Sequence, residues 1–329
     1  MAGDWTITDF DREIWAEELN DFVPDTVFDA HTHIWDDNCA GSCTSYMSMR
    51  LDVGYDTLRQ WNQEIFPGRK LGFLLLGTPI PGLDIQAFHA FAAAEAAKNP
   101  LHLCSTSIIP QTTPEELDEV IRKYHFTGLK PYRLHTADPA NCRITDYLPE
   151  AQLEVADQHR LVITLHMSRF DGIGDRVNRD DLRYLTKRYP NVRWILAHCA
   201  RSFNPFTLEK SIFELRDIPN IWYDTSAVCS AHSQYLLLKY ENIDRILFGT
   251  DNIAAGGDHG KYVTWGKGWC FMAPSEQPHC RSEATLVVYE QLRAQKEAAD
   301  MAGITGDQVK DIFYRNAAKL FGFNWKQIQ

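Results

Sequence analysis

Apolar residues gather along this chain into short runs separated by stretches with helical spacing. Eight runs predict strands: residues 27–33, 71–76, 101–109, 127–133, 161–167, 193–199, 221–227 and 245–251. The intervening residues 87–98, 114–124, 151–159, 180–189, 208–215 and 233–240 predict helices. Ahead of the first strand, Phe10, Ile14, Trp15, Leu19 and Phe22 give residues 9–22 one apolar face, and Pro24 closes that lead-in helix. Strands alternating with helices make parallel βαβ units, and eight units predict closure into an α/β barrel. No glycine-rich phosphate loop follows a strand, so a doubly wound nucleotide-binding sheet is the weaker alternative. Long excursions follow the first strand, residues 36–70, and the eighth, residues 252–282; both leave the barrel's C-terminal face. Trp265, Trp269 and Phe271 predict that the second is a packed lid or a subunit contact, which keeps a homodimer or higher homo-oligomer open. Residues 284–321 predict two helices broken near Gly303 and Gly306. The whole of residues 1–329 is expected to be one barrel domain, with a lead-in at 1–26, an insertion at 252–282 and C-terminal helices at 283–329.

A chain of 329 residues with 44% hydrophobic content can bury a large core. Its formal net charge of −11, with no Lys/Arg cluster, argues against a nucleic-acid or anionic-membrane partner. No secretory leader opens it and no apolar run approaches the ~20 residues of a membrane span, so a cytoplasmic protein is expected. Without export, its eight cysteines are expected to be free thiols; Cys39 and Cys43 lack the second pair that a metal knuckle needs.

The chemistry gathers where strands end. Within Phe28-Asp29-Ala30-His31-Thr32-His33, strand alternation puts His31 and His33 on one side, two imidazoles able to bind one ion. The fifth run ends at His166, the sixth at Ala197-His198-Cys199, and the eighth at Gly249-Thr250-Asp251. Any one of these fits an ordinary hydrogen-bonded polar group at a strand end. Four strands ending this way converge on one point at the barrel mouth, which predicts a mononuclear metal site.

Together with Tyr223-Asp224-Thr225-Ser226-Ala227 and Phe248-Gly249-Thr250-Asp251, these motifs resemble the amidohydrolase superfamily in its amidohydrolase-2 branch, over nearly the whole chain. The resemblance implies a distorted (β/α)8 TIM barrel holding one divalent metal, Zn2+ first and Mn2+ as alternative, on His31, His33, His166 and Asp251. It also implies that His198 lies outside the metal's ligands and polarises substrate. Zinc with such ligands makes water acidic, with a pKa near ~7. Asp251 is placed to take a proton from that nucleophile and return it to the leaving group, and His198 to steady a developing oxyanion.

Lys130, in Gly128-Leu129-Lys130-Pro131, has three readings: a carboxylated bridge between two ions, an ammonium binding a substrate anion, or a structural charge. Arg169 and Arg201 lie three residues beyond His166 and His198 and are candidates to clamp a substrate carboxylate, with helix capping or solvation as their plain alternative. Weaker candidates are Tyr46, Arg50, Arg133, His135, His259 and Lys261. The resulting expectation is a metal-dependent hydrolase of a small anionic molecule, cleaving a lactone, ester or amide. The alternative is a non-oxidative decarboxylase of an aromatic or dienoic acid, in which Asp251 protonates carbon. A non-catalytic binding protein on the same barrel is the minor alternative.

Overall fold

The computed structural model describes residues 6–40, 52–252, 256–275 and 278–328. The apolar runs become eight parallel strands: β1 (Thr26–His33), β2 (Lys70–Leu76), β3 (Cys104–Ile108), β4 (Gly128–Pro131), β5 (Val162–Leu165), β6 (Arg193–Leu196), β7 (Ile221–Asp224) and β8 (Ile246–Leu247). They lie side by side in chain order in one sheet. Strands shielded on both faces read as continuous apolar runs, and this is why they were visible in the sequence. At the seam, Ala30 N donates to Phe248 O at 2.9 Å, Asp251 N to His31 O at 2.8 Å and His33 N to Asn252 O at 2.6 Å. These bonds bring β8 back to β1 and make the sheet a nearly closed α/β barrel.

The seam has its own device. The β1–β2 register shifts between Asp29 and Thr32, an irregularity of the kind that re-aims side chains next to active sites. The buried Asp29 carboxylate accepts from His31 N at 3.0 Å, Thr250 N at 3.0 Å and Thr250 Oγ1 at 2.6 Å. It therefore ties the segment carrying His31 to the one carrying Asp251. Burial pushes its pKa up to about 7 against those donors.

Helices pack outside. The sequence Thr113-Pro114-Glu115-Glu116 shows why one begins where it does: Thr113 Oγ1 accepts from Glu116 N, and Glu116 returns a bond to Thr113 N, with proline at the first helical position. That helix, Pro114–Tyr124, buries Leu117 and Ile121, one turn apart. The lead-in is α-helical only over Asp9–Ile14 and widens into a π turn at Trp15–Leu19, where the Trp15 ring packs on Phe66 and Tyr289. The long helix Val287–Ala302 stops at Gly303, whose φ of 74° supplies the left-handed cap.

Among the elements that differ from expectation, two bear on the site. Strand β6 ends at Leu196, short of the expected residue 199, because His198, Cys199, Ala200 and Arg201 take φ values of 60°, 50°, 59° and 61°. The insertion after β8 contains an antiparallel hairpin, β9 (Lys261–Trp265) and β10 (Gly268–Met272). The described cysteines are free thiols. Tyr46, Arg50 and Cys43 lie outside the described residues. No described helix is long and apolar enough to cross a membrane.

Candidate metal centre

The strand ends enclose a cavity of about 220 Å3 lined by His31, His33, Lys130, Arg133, His166, His198 and Asp251, among others. The His31 and His198 rings lie tilted to one another at 4.8 Å between centroids, His31 and His33 meet edge to face at 5.1 Å, and His166 meets His198 at 5.2 Å. His31, His198 and Asp251 offer ligand atoms within 4.8 Å of one another. The sequence had set His198 outside the ligands, yet it stands in this tightest trio. His33 joins through Asp251, its Nε2 lying 3.2 Å from Oδ1, and His166 closes the wall beside His198.

The partners of each imidazole fix which nitrogen carries the proton. His31 Nδ1 lies 2.8 Å from Asp224 Oδ2, His33 Nδ1 lies 2.8 Å from Gly77 O, and His198 Nδ1 lies 3.0 Å from Ser226 O. A carboxylate and two carbonyls can only accept, so each Nδ1 donates. Burial first, then the Lys130 charge, holds the His31 pKa down at about 3, so its ring is neutral. Burial first, then the charges of His198, Arg201, Lys130 and Arg133, holds His166 well below the ordinary histidine value. In a neutral ring with Nδ1 protonated, Nε2 is a bare lone pair. That lone pair on His31 lies 3.4 Å from Asp251 Oδ1, and His33 Nε2 lies 3.2 Å from the same oxygen. Imidazole nitrogens turned toward a carboxylate oxygen favour a cation among them; at His31 the Lys130 ammonium already approaches Nε2, at 3.2 Å. Imidazole nitrogens with one carboxylate suit a divalent first-row ion, so the residues present fit the metal that the resemblance implies.

The strand ends that carry these groups are conformationally unusual. Arg169, the four residues His198–Arg201, Ala227 and Asp251 are all left-handed, at φ between 50° and 64°, although none is glycine. This region costs L-residues roughly 1–2 kcal/mol each, so the surroundings must hold it. At His198 they do: its N–H donates to Asp224 Oδ1 at 3.0 Å, and Ser202 N returns to His198 O at 2.8 Å. The turn lets one residue reach β7 through both its backbone and its ring.

Opposite, the wall is cationic. Lys130 is fully buried, its ammonium donates to His31 Nε2 at 3.2 Å, and burial brings its pKa down to about 8. Arg133 lines the cavity and donates to Pro139 O at 2.7 Å. Arg201 stands beside Arg133 but does not line the cavity: it donates to Arg169 O, and burial first, then nearby Arg133, brings it down to about 10. Among the described residues none of these three cations forms an ion pair. Arg169 does not line the cavity: Asp175 holds it at 2.8 Å and Asn141 O at 2.6 Å. His259 and Lys261 are likewise engaged elsewhere, with Asp11 and Glu290 at 2.8 Å each. His135 lines a separate cavity beside Cys142.

Sequence reasoning gave no role to Asp224, Ser226 or Phe203. Asp224 ends an apolar strand as Asp251 does, so the same signal was available. Phe203 packs on His198 at 5.3 Å and on Trp269 of the hairpin at 4.3 Å, which makes the insertion a cover over the His198 ring.

An amidohydrolase family model matches residues 86–323. No curated protein matches the chain. Among solved structures, 4-oxalomesaconate hydratase from Rhodopseudomonas palustris aligns at a TM-score of 0.54 and 16% identity, over 90% of this chain and 95% of that one. A protein described as a probable 2-pyrone-4,6-dicarboxylic acid hydrolase from Acinetobacter baumannii, with citric acid bound, aligns at 0.56 and 13%, over 90% and 99%. The manganese-containing 5-carboxyvanillate decarboxylase from Novosphingobium aromaticivorans aligns at 0.51 and 12%, over 92% and 96%. At such identities these likenesses speak for the fold. With the family match, the chain belongs to the amidohydrolase-2 family, metal-dependent enzymes of the amidohydrolase superfamily that act on small molecules.

Proposed function

We propose that the chain is a metal-dependent hydrolase that opens a C–O or C–N bond in a small carboxylated molecule, a lactone, ester or amide. The observation that carries this reading is the convergence of Asp251 Oδ1 with the Nε2 atoms of His31 and His33, at 3.4 and 3.2 Å, in a cavity that His166 and His198 also line. His31, His33, His166 and Asp251 would hold one divalent ion, zinc first and manganese second. Bound there, it supplies Lewis acidity, polarising a substrate oxygen and making a nearby water acidic.

The chain's residues do the rest. Asp251, at 14% side-chain exposure, faces the cavity and takes the proton from water, then gives it to the leaving oxygen or nitrogen. His198 has its Nδ1 proton committed to Ser226 O, which leaves Nε2 for the cavity it lines. There it serves as a further ligand or as the group that polarises substrate. The donor at the cavity is the Lys130 ammonium, buried beside His31, and it steadies the oxyanion that forms as the carbonyl is attacked. Arg133, which lines the cavity without a carboxylate partner among the described residues, supplies the countercharge for the substrate's own carboxylate, and Arg201 beside it adds to the positive field.

The test is a panel of carboxylated lactones, esters and amides, offered with zinc or manganese, run beside aromatic and dienoic acids monitored for CO2. Metal-dependent ring opening or ester or amide cleavage without CO2 supports the reading. CO2 release without hydrolysis replaces it with decarboxylation.

A further inference from the structure

Behind the cavity, Asp224 at the end of β7 and Ser226 two residues beyond it contact the groups that face it. Asp224 has no exposed surface. Its Oδ2 accepts from His31 Nδ1 at 2.8 Å; its Oδ1 accepts from His198 N at 3.0 Å, from Ser226 N at 3.1 Å and from the Ser226 hydroxyl. Ser226 O in turn accepts from His198 Nδ1 at 3.0 Å, and Ser226 Oγ sits 3.1 Å from His31 Nδ1 and 2.9 Å from His198 Nδ1. The hydroxyl proton goes to Asp224, so this oxygen too can only accept from the rings.

We infer that Asp224, seconded by Ser226, is a positioning residue that sets divalent-metal affinity: it fixes His31 in the Nδ1–H form and pins the left-handed turn that presents His198. The inference rests on the metal site proposed above and adds to it a cause for the lone pairs that face the cavity. Asp224 binds His31 through one oxygen and the His198 turn through the other, so one carboxylate aligns both rings. Outer-shell carboxylates that take a ligand's second N–H raise its basicity and lock its orientation, and their removal typically costs ~10–100-fold in metal affinity.

The two oxygens are inequivalent in a way that makes Asp224→Asn informative. The Oδ1 position receives three donors, so the variant's carbonyl must stay there and its NH2 must face His31. A donor facing Nδ1 forces the ring proton onto Nε2, and the lone pair is lost from the cavity. Asp224→Asn is nearly isosteric, yet it should reverse the His31 tautomer.

The experiment measures zinc and manganese dissociation constants by competition with a chromophoric chelator. Metal-free melting temperatures and 15N-histidine NMR of the metal-free protein are recorded in parallel. The expected result is a wild-type His31 protonated at Nδ1. In Asp224→Asn the proton moves to Nε2, and metal binds ~10–100-fold more weakly with little change in metal-free melting. Ser226→Ala should weaken binding a few-fold. A wild-type His31 that carries its proton on Nε2 overturns the inference without recourse to any variant. So does an Asp224→Asn protein that binds metal like wild type, or one whose loss merely follows a loss of metal-free stability. Failure of the wild-type protein to bind any divalent ion overturns the proposed function and the inference together.

Discussion

The barrel mouth has two unlike walls. Along β7, β8 and β1, Asp224, Ser226, Asp29, His31 and His33 are satisfied by one another or by backbone, down to the tautomer of each ring. On the other side, the lining cations Lys130 and Arg133, with Arg201 outside the lining, crowd His166 with positive charge, and no carboxylate among the described residues pairs with them. A wall that is internally complete and turns imidazole nitrogens and a carboxylate to the cavity suits a cation. A wall of unpaired cations needs an anion. The difference teaches how one small cavity can hold a divalent ion and an anionic substrate side by side.

The most damaging change should be on the first wall. Asp251→Asn removes the one carboxylate that lines the cavity among the described residues and should lower kcat by about 10³-fold or more, since proton transfer and ion binding fail together. Steady-state kinetics with metal analysis of the variant checks this. Retained activity would show that the lone-pair wall is not the reactive one. Next, Arg133→Ala and Arg201→Ala should each weaken kcat/KM for a carboxylated substrate by about 10–100-fold, mainly through KM, the size of a charge-assisted hydrogen bond. A neutral analogue should lose far less. If both variants leave KM for the true substrate unchanged, the cationic wall has another purpose.

A control lies outside the mouth. Buried Asp11 accepts from Thr8 N and Oγ1, Thr285 Oγ1, Leu286 N and His259 Nε2, and so staples the lead-in helix to the insertion and the last helices. Burial pushes its pKa up, but bonds from His259, Thr285 and Thr8 outweigh that and hold the carboxyl well below the ordinary value. A depressed folded pKa adds stability above the unfolded value of about 4 that is lost as pH falls below it. Asp11→Asn should cost about 2–3 kcal/mol near neutrality. It should also flatten the acid side of the stability profile, leaving kcat of the folded enzyme unchanged; urea melts from pH 3 to 7 test it. The smallest effect is expected from Trp269→Ala. It strips the cover from Phe203 two contacts away from the cavity, and should change kcat only a few-fold.

Legibility in the sequence followed the same division. Strand-end histidines and Asp251 were readable because each interrupts an apolar run, and the eight-strand order followed from the repeated strand–helix alternation. The left-handed turn at His198–Arg201 was not readable, because no glycine marks it and its support comes from Asp224, 26 residues further on. Arg169 looked like a substrate clamp by its offset from His166, but Asp175 and Asn141 O turn it aside. The hairpin β9–β10 had a usable signal, Gly266-Lys267-Gly268 between aromatic runs, which the length of the insertion obscured. Hydrogen-bond direction at His198 needed coordinates, since a residue's position says nothing of which ring nitrogen is engaged.

The most direct test of the central claim is metal content per chain, by mass spectrometry, after stripping and reloading with zinc or manganese, for the wild type, His31→Ala and Asp251→Ala. The account predicts one equivalent in the wild type and well below one in both variants, with the fold retained. No bound metal in the wild type, two equivalents, or full loading of the variants would contradict it.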